Sequence, residues 1–75
     1  MLRSKCIEIM SNKFNPHFSE RVNFPMAVMF CAQEMFRVEE SSFEADCIRA
    51  ALNLLHEGKG VSDEDPLPQN RSEVF

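Results

Sequence analysis

Glycine is scarce in this 75-residue sequence, which contains only Gly58 and Gly60. A glycine-rich phosphate-binding loop is therefore excluded. No apolar run reaches the ~18–20 residues that a membrane-spanning helix needs, and no apolar signal-peptide segment follows the basic residues near the start. No serine or cysteine stands in a recognised nucleophile motif. These absences predict a protein that is not an enzyme, has no cofactor and does not enter a membrane.

Metal-binding and disulfide patterns are also missing. The cysteines Cys6, Cys31 and Cys47 are odd in number and form no Cys-x-x-Cys pair, so neither a disulfide framework nor a zinc site is indicated. The acidic residues 63–65 lack the spaced ligands and the turn glycine of an EF-hand loop. We therefore expect no metal site, and reduced cysteines that pack as small apolar side chains in a cytoplasmic protein.

Charge is distributed unevenly along the chain, whose formal net charge is −4. Residues 1–25 contain four bases and two acids, residues 26–58 two bases and six acids, and residues 59–75 two bases and four acids. The net charges of these segments are thus +2, −4 and −2. An anionic ligand is therefore expected to contact the N-terminal third of the chain.

Apolar spacing predicts three helices. The first covers about residues 2–14 and ends before Pro16. The second begins near Pro25, and its inward face is predicted to consist of Val28, Met29, Ala32, Met35 and Phe36, widened by Phe30 and Cys31. Ser41 or Ser42 opens the third, since Ser41-x-x-Glu44 has the form of a capping box, and Gly58 ends it. The resulting organisation is an N-terminal helical arm at 1–15, a core at 17–58 and a flexible acidic tail at 59–75.

Between the first two helices, residues 17–24 alternate between polar and apolar side chains, with Glu20 as the one exception. This period of two is typical of a short strand, with Val22 and Phe24 on one face and polar residues on the other. Such a strand is stable only when it pairs with another. The small size of the chain and its apolar content also favour an oligomer.

From Arg21 to Leu55 this order of a strand, a helix, a serine-capped turn and a helix resembles the ribbon-helix-helix family of DNA-binding proteins, of the Arc and MetJ type. The second family helix often reads acid-x-Ile-Arg-x-Ala-Leu, and residues 46–52 read Asp-Cys-Ile-Arg-Ala-Ala-Leu. The turn at 39–42 departs from the family in having no glycine. The resemblance implies a mainly α fold: a ribbon-helix-helix homodimer with an added N-terminal helix and a disordered C-terminal tail.

The resemblance also implies a sequence-specific, repressor-like regulator whose paired strands enter the major groove of double-stranded DNA. Ser19, Arg21 and Asn23 would face the bases. The start of the second family helix, at Ser41, Ser42 and Phe43, would bind a phosphate through backbone N–H groups. Lys13 and His17 would add phosphate contacts.

Two other hypotheses assign the chain a protein partner. Its acidity, small size and surplus of Met and Phe fit a small helical protein of phage or plasmid type that binds and inhibits a host protein. In that case residues 21–24 are a linker and the helices form a bundle. An antitoxin is a further variant, in which a DNA-binding dimer carries a C-terminal tail that folds onto a toxin. Under these hypotheses the N-terminal helix or the C-terminal tail contacts the partner.

Overall fold

Three helices make up most of the chain that the computed structural model describes, which is residues 1–14, 23–38 and 41–69. We name them α1 (Leu2–Lys13), α2 (Phe24–Val38) and α3 (Phe43–His56). The third helix packs against both of the others, and α1 also contacts α2. The three helices expected from apolar spacing are thus confirmed to within a few residues at each end.

The core lies where the three helices meet. Each helix contributes residues spaced three or four positions apart, as one helical face requires. Its buried members are Leu2, Cys6, Ile9, Met10, Phe24, Ala27, Val28, Cys31, Ala32, Met35, Ala45, Cys47, Ile48, Ala51 and Val61. No polar or charged residue is buried among the described residues, so the core is stabilised by apolar burial and packing.

The ribbon-helix-helix fold predicted from the sequence is wrong. Its strand was expected to reach Phe24, but Phe24 begins α2, and none of the residues in 1–14, 23–38 or 41–69 lies in a strand. The Oδ1 atom of Asn23 accepts a hydrogen bond from the backbone N–H of Met26 at 2.9 Å, which is the geometry of a helix N-cap. Pro25 occupies the first turn, where its missing N–H costs nothing. Local capping therefore starts a helix here without a second chain.

A serine side chain starts α3, as predicted, but through only one of the two candidates. The hydroxyl of Ser42 accepts a hydrogen bond from the backbone N–H of Ala45 at 3.0 Å, and the Ser42 backbone is extended. Ser41 is exposed and precedes the cap, so the pairing of Ser41 with Glu44 is not the one that closes the helix end. The acids Glu44 and Asp46 lie in the first turn, where their negative charges interact favourably with the positive end of the helix dipole.

Gly58 ends α3, as the sequence predicts. Its φ angle is +81°, a left-handed conformation that glycine adopts without steric cost. The N–H of Gly58 donates to the carbonyl of Leu55 at 3.0 Å, and the N–H of Lys59 donates to the carbonyl of Leu54 at 2.9 Å. This pair of bonds is a Schellman motif, and it turns the chain back toward α1.

The expectation of a disordered tail is wrong for residues 61–67. Val61 is buried in the core and Leu67 packs against it. Between them, the backbone N–H of Ser62 donates to the carboxylate of Asp65 at 2.8 Å, and the carbonyl of Asp65 accepts a hydrogen bond from the N–H of Leu2 at 3.2 Å. The few apolar residues of this polar segment are enough to fix it, because they lie against a core that the helices have already formed.

The tail also caps α1. Met1 contributes no side-chain cap, but Oδ1 of Asp63 accepts hydrogen bonds from the backbone N–H of Ser4 at 2.7 Å and from the Ser4 hydroxyl at 2.5 Å. The amino group of Met1 lies 2.9 Å from the same oxygen. The cap of the first helix therefore comes from a residue 59 positions away in the sequence, which no local pattern reveals.

Candidate functional site

The structure gives two of the predicted DNA-contacting residues a structural role. Asn23 caps α2 and Ser42 caps α3 through their side-chain oxygens. Both oxygens accept hydrogen bonds from backbone N–H groups of their own helices, so in this structure they are used within the chain. His17, Ser19 and Arg21 lie outside the described residues.

The other predicted contacts are spread over the molecule. Ser41 is exposed, and Phe43 is half-buried and packs against the core. Lys13 is exposed at the end of α1 and lines a cleft of about 250 Å³ together with residues near the C-terminus of α2. Asn23 lies just before the N-terminus of α2. This helix has 15 residues and is therefore about 22 Å long. The structure therefore does not bring Lys13 and Asn23 to one end of α2.

The cysteines are packing residues, as predicted. Cys6, Cys31 and Cys47 come one from each helix and are all free and buried. Burial raises the pKa of the Cys6 thiol to about 12 and that of Cys31 to about 11, and it also raises the pKa of Cys47. Since the thiolate is the reactive form of cysteine, these thiols are poor nucleophiles at neutral pH.

The most unusual surface lies on α2, whose first ten residues, 24–33, contain no charged side chain. Ala27, Val28 and Cys31 of this segment face the core. On the opposite side, Met26 is 58 % exposed, Met29 50 % and Phe30 51 %. These three residues are spaced i, i+3 and i+4, so they lie along one side of the helix. We call them the α2 apolar strip.

A shallow cleft of about 190 Å³ adjoins the strip between α2 and α3. Its walls include Met29, Ala32, Gln33, Phe36, Leu52 and His56. Most of this lining is apolar, and Gln33 and His56 supply polar groups. We call it the α2–α3 cleft. It is continuous with the strip because Met29 belongs to both.

Paired charges lie around these apolar features. Glu34 and Arg37 form an exposed ion pair at 3.2 Å on α2. On α3, Arg49 pairs with Asp46 at 3.2 Å, and its guanidinium lies 4.4 Å from the ring centre of Phe36. Cation–π contact of this kind holds the Phe36 ring against α3 and so helps to shape the wall of the cleft.

The sequence pattern predicted that Met29 lies on the inward face of its helix and that Phe30 widens this face, and it did not single out Met26. The structure confirms Val28, Ala32 and Met35 as buried, but turns Met29 halfway to solvent. One signal for this surface was present in the sequence, namely ten consecutive residues without a charge. A helix that is apolar on every side normally has a covered outer face.

Comparison of the chain with protein-family models, with curated proteins and with solved structures finds no match. Across residues 1–14, 23–38 and 41–69, no helix is both long and apolar enough to cross a membrane. Within the same ranges, no three His, Cys, Asp or Glu residues are grouped so that they could hold a metal ion. The candidate site therefore rests on the geometry of α2 and α3.

Proposed function

We propose that this chain is a small helical protein-binding module, and that the α2 apolar strip and the α2–α3 cleft together receive an apolar helix of another polypeptide. The observation behind the proposal is the absence of charge from residues 24–33 on all sides of a helix. This proposal belongs to the same class as the predicted inhibitor of a host protein.

The composition of the strip distinguishes it from ordinary surface exposure. Single apolar side chains on a surface are common and need no explanation. Met26, Met29 and Phe30, however, are adjacent along one helix side, and each is about half exposed. Contiguous apolar surface with polar residues at its edge is typical of an interaction site.

The cleft suits an anchoring side chain of a bound helix. Amphipathic helices bind by placing apolar residues at helical spacing into a groove between helices. A space of about 190 Å³ accommodates one large apolar side chain, and the flexible Met29 can adapt to its shape. Gln33 and His56 offer hydrogen bonds at the edge, where protein interfaces are usually polar.

Parts of the other two regions predicted to bind a partner, the N-terminal helix and the described part of the tail, pack within the chain. Leu2, Cys6, Ile9 and Met10 of the N-terminal helix are buried in the core. The tail segment that the antitoxin hypothesis assigns to a toxin contributes Val61 to the same core. A partner that bound the buried face of either region would have to displace these contacts, whereas Met26 and Met29 of the α2 apolar strip are at least half exposed.

The DNA-binding regulator stays a prediction. Residues 23–38 contain one base, Arg37, and one acid, Glu34, which pair with each other. A surface with no excess of basic side chains gains little from contact with phosphate groups. The α2 surface thus favours an apolar polypeptide over a nucleic acid.

Fluorescence anisotropy tests the function with defined probes. One probe is a labelled amphipathic peptide of about 15 residues with leucine at helical anchor spacing, and the other is a labelled duplex DNA of mixed sequence. We expect the peptide to bind and Met29→Glu to weaken it at least about tenfold, because a charge enters the apolar contact. Asn53→Glu adds the same charge at an exposed position of α3 and should leave binding unchanged.

Equal peptide affinity in wild type and Met29→Glu would remove the surface from the proposal. Binding of the duplex without binding of the peptide would support the DNA-binding regulator instead. Circular dichroism of each variant confirms that it is folded, which is expected because both substituted side chains are exposed.

A further inference from the structure

We propose that the helix received by the α2 apolar strip is α2 of a second copy of this chain, so that the protein is a weak homodimer with antiparallel α2 helices. The inference rests on the proposed function, because it names the partner for the same surface. It also assigns the dimer contact to α2 instead of to the paired strands implied by the family resemblance.

The charge pattern of α2 fits self-association. A two-fold interface brings the same patch of both copies together, so a charged residue near the axis faces its own equivalent. Residues 24–33 contain no charge. The first charge on α2 is Glu34, which Arg37 of the same chain neutralises at 3.2 Å. Two chains of net charge −4 can therefore meet along residues 24–33 without a charge of that segment facing its own equivalent.

The spacing of the strip is self-complementary in an antiparallel arrangement. With the two-fold axis between positions 29 and 30, Met29 lies beside Phe30 of the second copy and Met26 lies beside its Gln33. Helix axes 8–10 Å apart allow such side chains to interdigitate. The opposed helix dipoles also favour the antiparallel orientation.

The available area predicts a weak dimer. Three large side chains, each about half exposed, offer about 300 Å² of apolar surface per copy if each exposes about 200 Å² when free. Stable interfaces bury about 800 Å² per partner. The side chains around the α2–α3 cleft add to the strip but do not double it. We therefore expect a dissociation constant in the micromolar range.

Sedimentation equilibrium between about 1 µM and about 1 mM tests the dimer. The average mass should rise from that of one chain to that of two over this range. Met29→Glu should raise the protein concentration at half dimerisation at least about tenfold, because two buried charges would face each other. Asn53→Glu adds the same charge on α3 and should behave as wild type. A single-chain mass at 1 mM, or a dimer unaffected by Met29→Glu, would overturn the inference.

Cross-linking tests the arrangement by a second route that does not depend on a destabilising charge. Met29→Cys should form a covalent dimer with a bismaleimide that spans about 8 Å, close to the expected separation of the two helices. The three native thiols are buried and should not react. Asn53→Cys is the matched control and should remain a single chain, and an uncross-linked Met29→Cys would overturn the two-fold geometry.

The two proposals fail in different ways. A single-chain mass together with peptide binding that Met29→Glu abolishes would remove the homodimer and leave the protein-binding surface. A single-chain mass together with no peptide binding would overturn both proposals, because the α2 apolar strip would then bind neither a second copy nor another helix.

Discussion

Helices α2 and α3 are of nearly equal length and share one core, yet their outer faces differ. On α3 the outer face is polar: Asn53 and His56 are exposed, and Arg49 pairs with Asp46 at 3.2 Å. On α2 the outer face over the first ten residues is the α2 apolar strip. Both helices bury an apolar face, so the demand for a core does not explain the strip.

The difference separates folding from binding. The buried side of α2, which includes Ala27, Val28 and Cys31 with no exposed surface, already supplies what α3 needs to pack against. The outer methionines add apolar area that the single chain leaves in water. On α3 the exposed positions are polar, and one of them, His56, lies at the edge of the α2–α3 cleft. The helix-binding surface proposed for α2 accounts for this difference between the two outer faces.

The largest expected effect compares a buried residue of α3 with an exposed residue of α2. Ile48 is fully buried, so Ile48→Ala should lower the free energy of unfolding by about 3 kcal/mol through lost burial and a cavity. Met29→Ala should change it by less than about 0.5 kcal/mol, since the side chain is half exposed in the single chain. Urea denaturation at sub-micromolar protein measures both. Similar losses for the two variants would break the comparison.

The N-caps of the two helices give the next effect. Ser42→Ala and Asn23→Ala each remove the acceptor for a backbone N–H at the start of a helix, and each should cost about 1 kcal/mol of stability. Ser41→Ala is the control and should cost less than about 0.5 kcal/mol, because Ser41 precedes the cap. Thermal melts resolve this difference. A larger loss from Ser41→Ala than from Ser42→Ala would restore the capping box as the start of α3.

A smaller effect concerns the cap that α1 receives from the tail. Hydrogen bonds from the Ser4 hydroxyl, and then from the Met1 amino group, hold the pKa of Asp63 well below its ordinary 3.8. The ionised carboxylate therefore stabilises the fold above about pH 4, and this contribution is lost as pH falls below 3.8 toward the folded-state pKa. The melting temperature of wild type should exceed that of Asp63→Asn at pH 7, and the difference between the two temperatures should narrow toward pH 2.

The matched control for that experiment is Glu64→Gln, which removes a neighbouring charge from the same turn. It should melt close to wild type at both pH values, because none of the hydrogen bonds to α1 comes from the Glu64 side chain. A constant gap between wild type and Asp63→Asn across the pH range would contradict the role of the carboxylate charge.

The smallest effect concerns the contact that joins the two compared helices. Arg49→Gln removes the ion pair with Asp46 and the cation–π contact with Phe36. The Arg49 side chain is 40 % exposed, so solvent screens both contacts and the expected loss is about 0.5 kcal/mol. High salt should reduce the ion-pair part of this loss. A loss above about 2 kcal/mol would contradict this screening and would place the contact on the scale of a buried core side chain.

Much of the fold could be predicted from local patterns. Apolar spacing located the three helices, and the position of Gly58 predicted the end of α3, because both signals act over a few residues. The strand was the main error. Asn23-Phe24-Pro25 fits the end of a strand by alternation and the start of a helix by capping. The hydrogen bonds that Asn23 accepts from the N–H groups of Met26 and Ala27 decide for the helix.

The candidate site was less predictable than the fold. The inward face of α2 was predicted to include Met29, because helical spacing defines a stripe but not its orientation toward the neighbouring helices. The packing of α2 against α3 turns Met29 halfway to solvent, and so only the assembled bundle shows that Met26, Met29 and Phe30 form one surface.

The sequence by itself determined the three helices, the serine and glycine that bound α3, and the apolar character of the cysteines, since each depends on near neighbours in the chain. The tertiary structure alone decided which side of α2 faces solvent and which residue caps α1. Asp63 reaches Ser4 across 59 positions, and Met29 lines a cleft with Leu52 of α3. Such pairings follow from the packing of whole helices and leave no local pattern in the sequence.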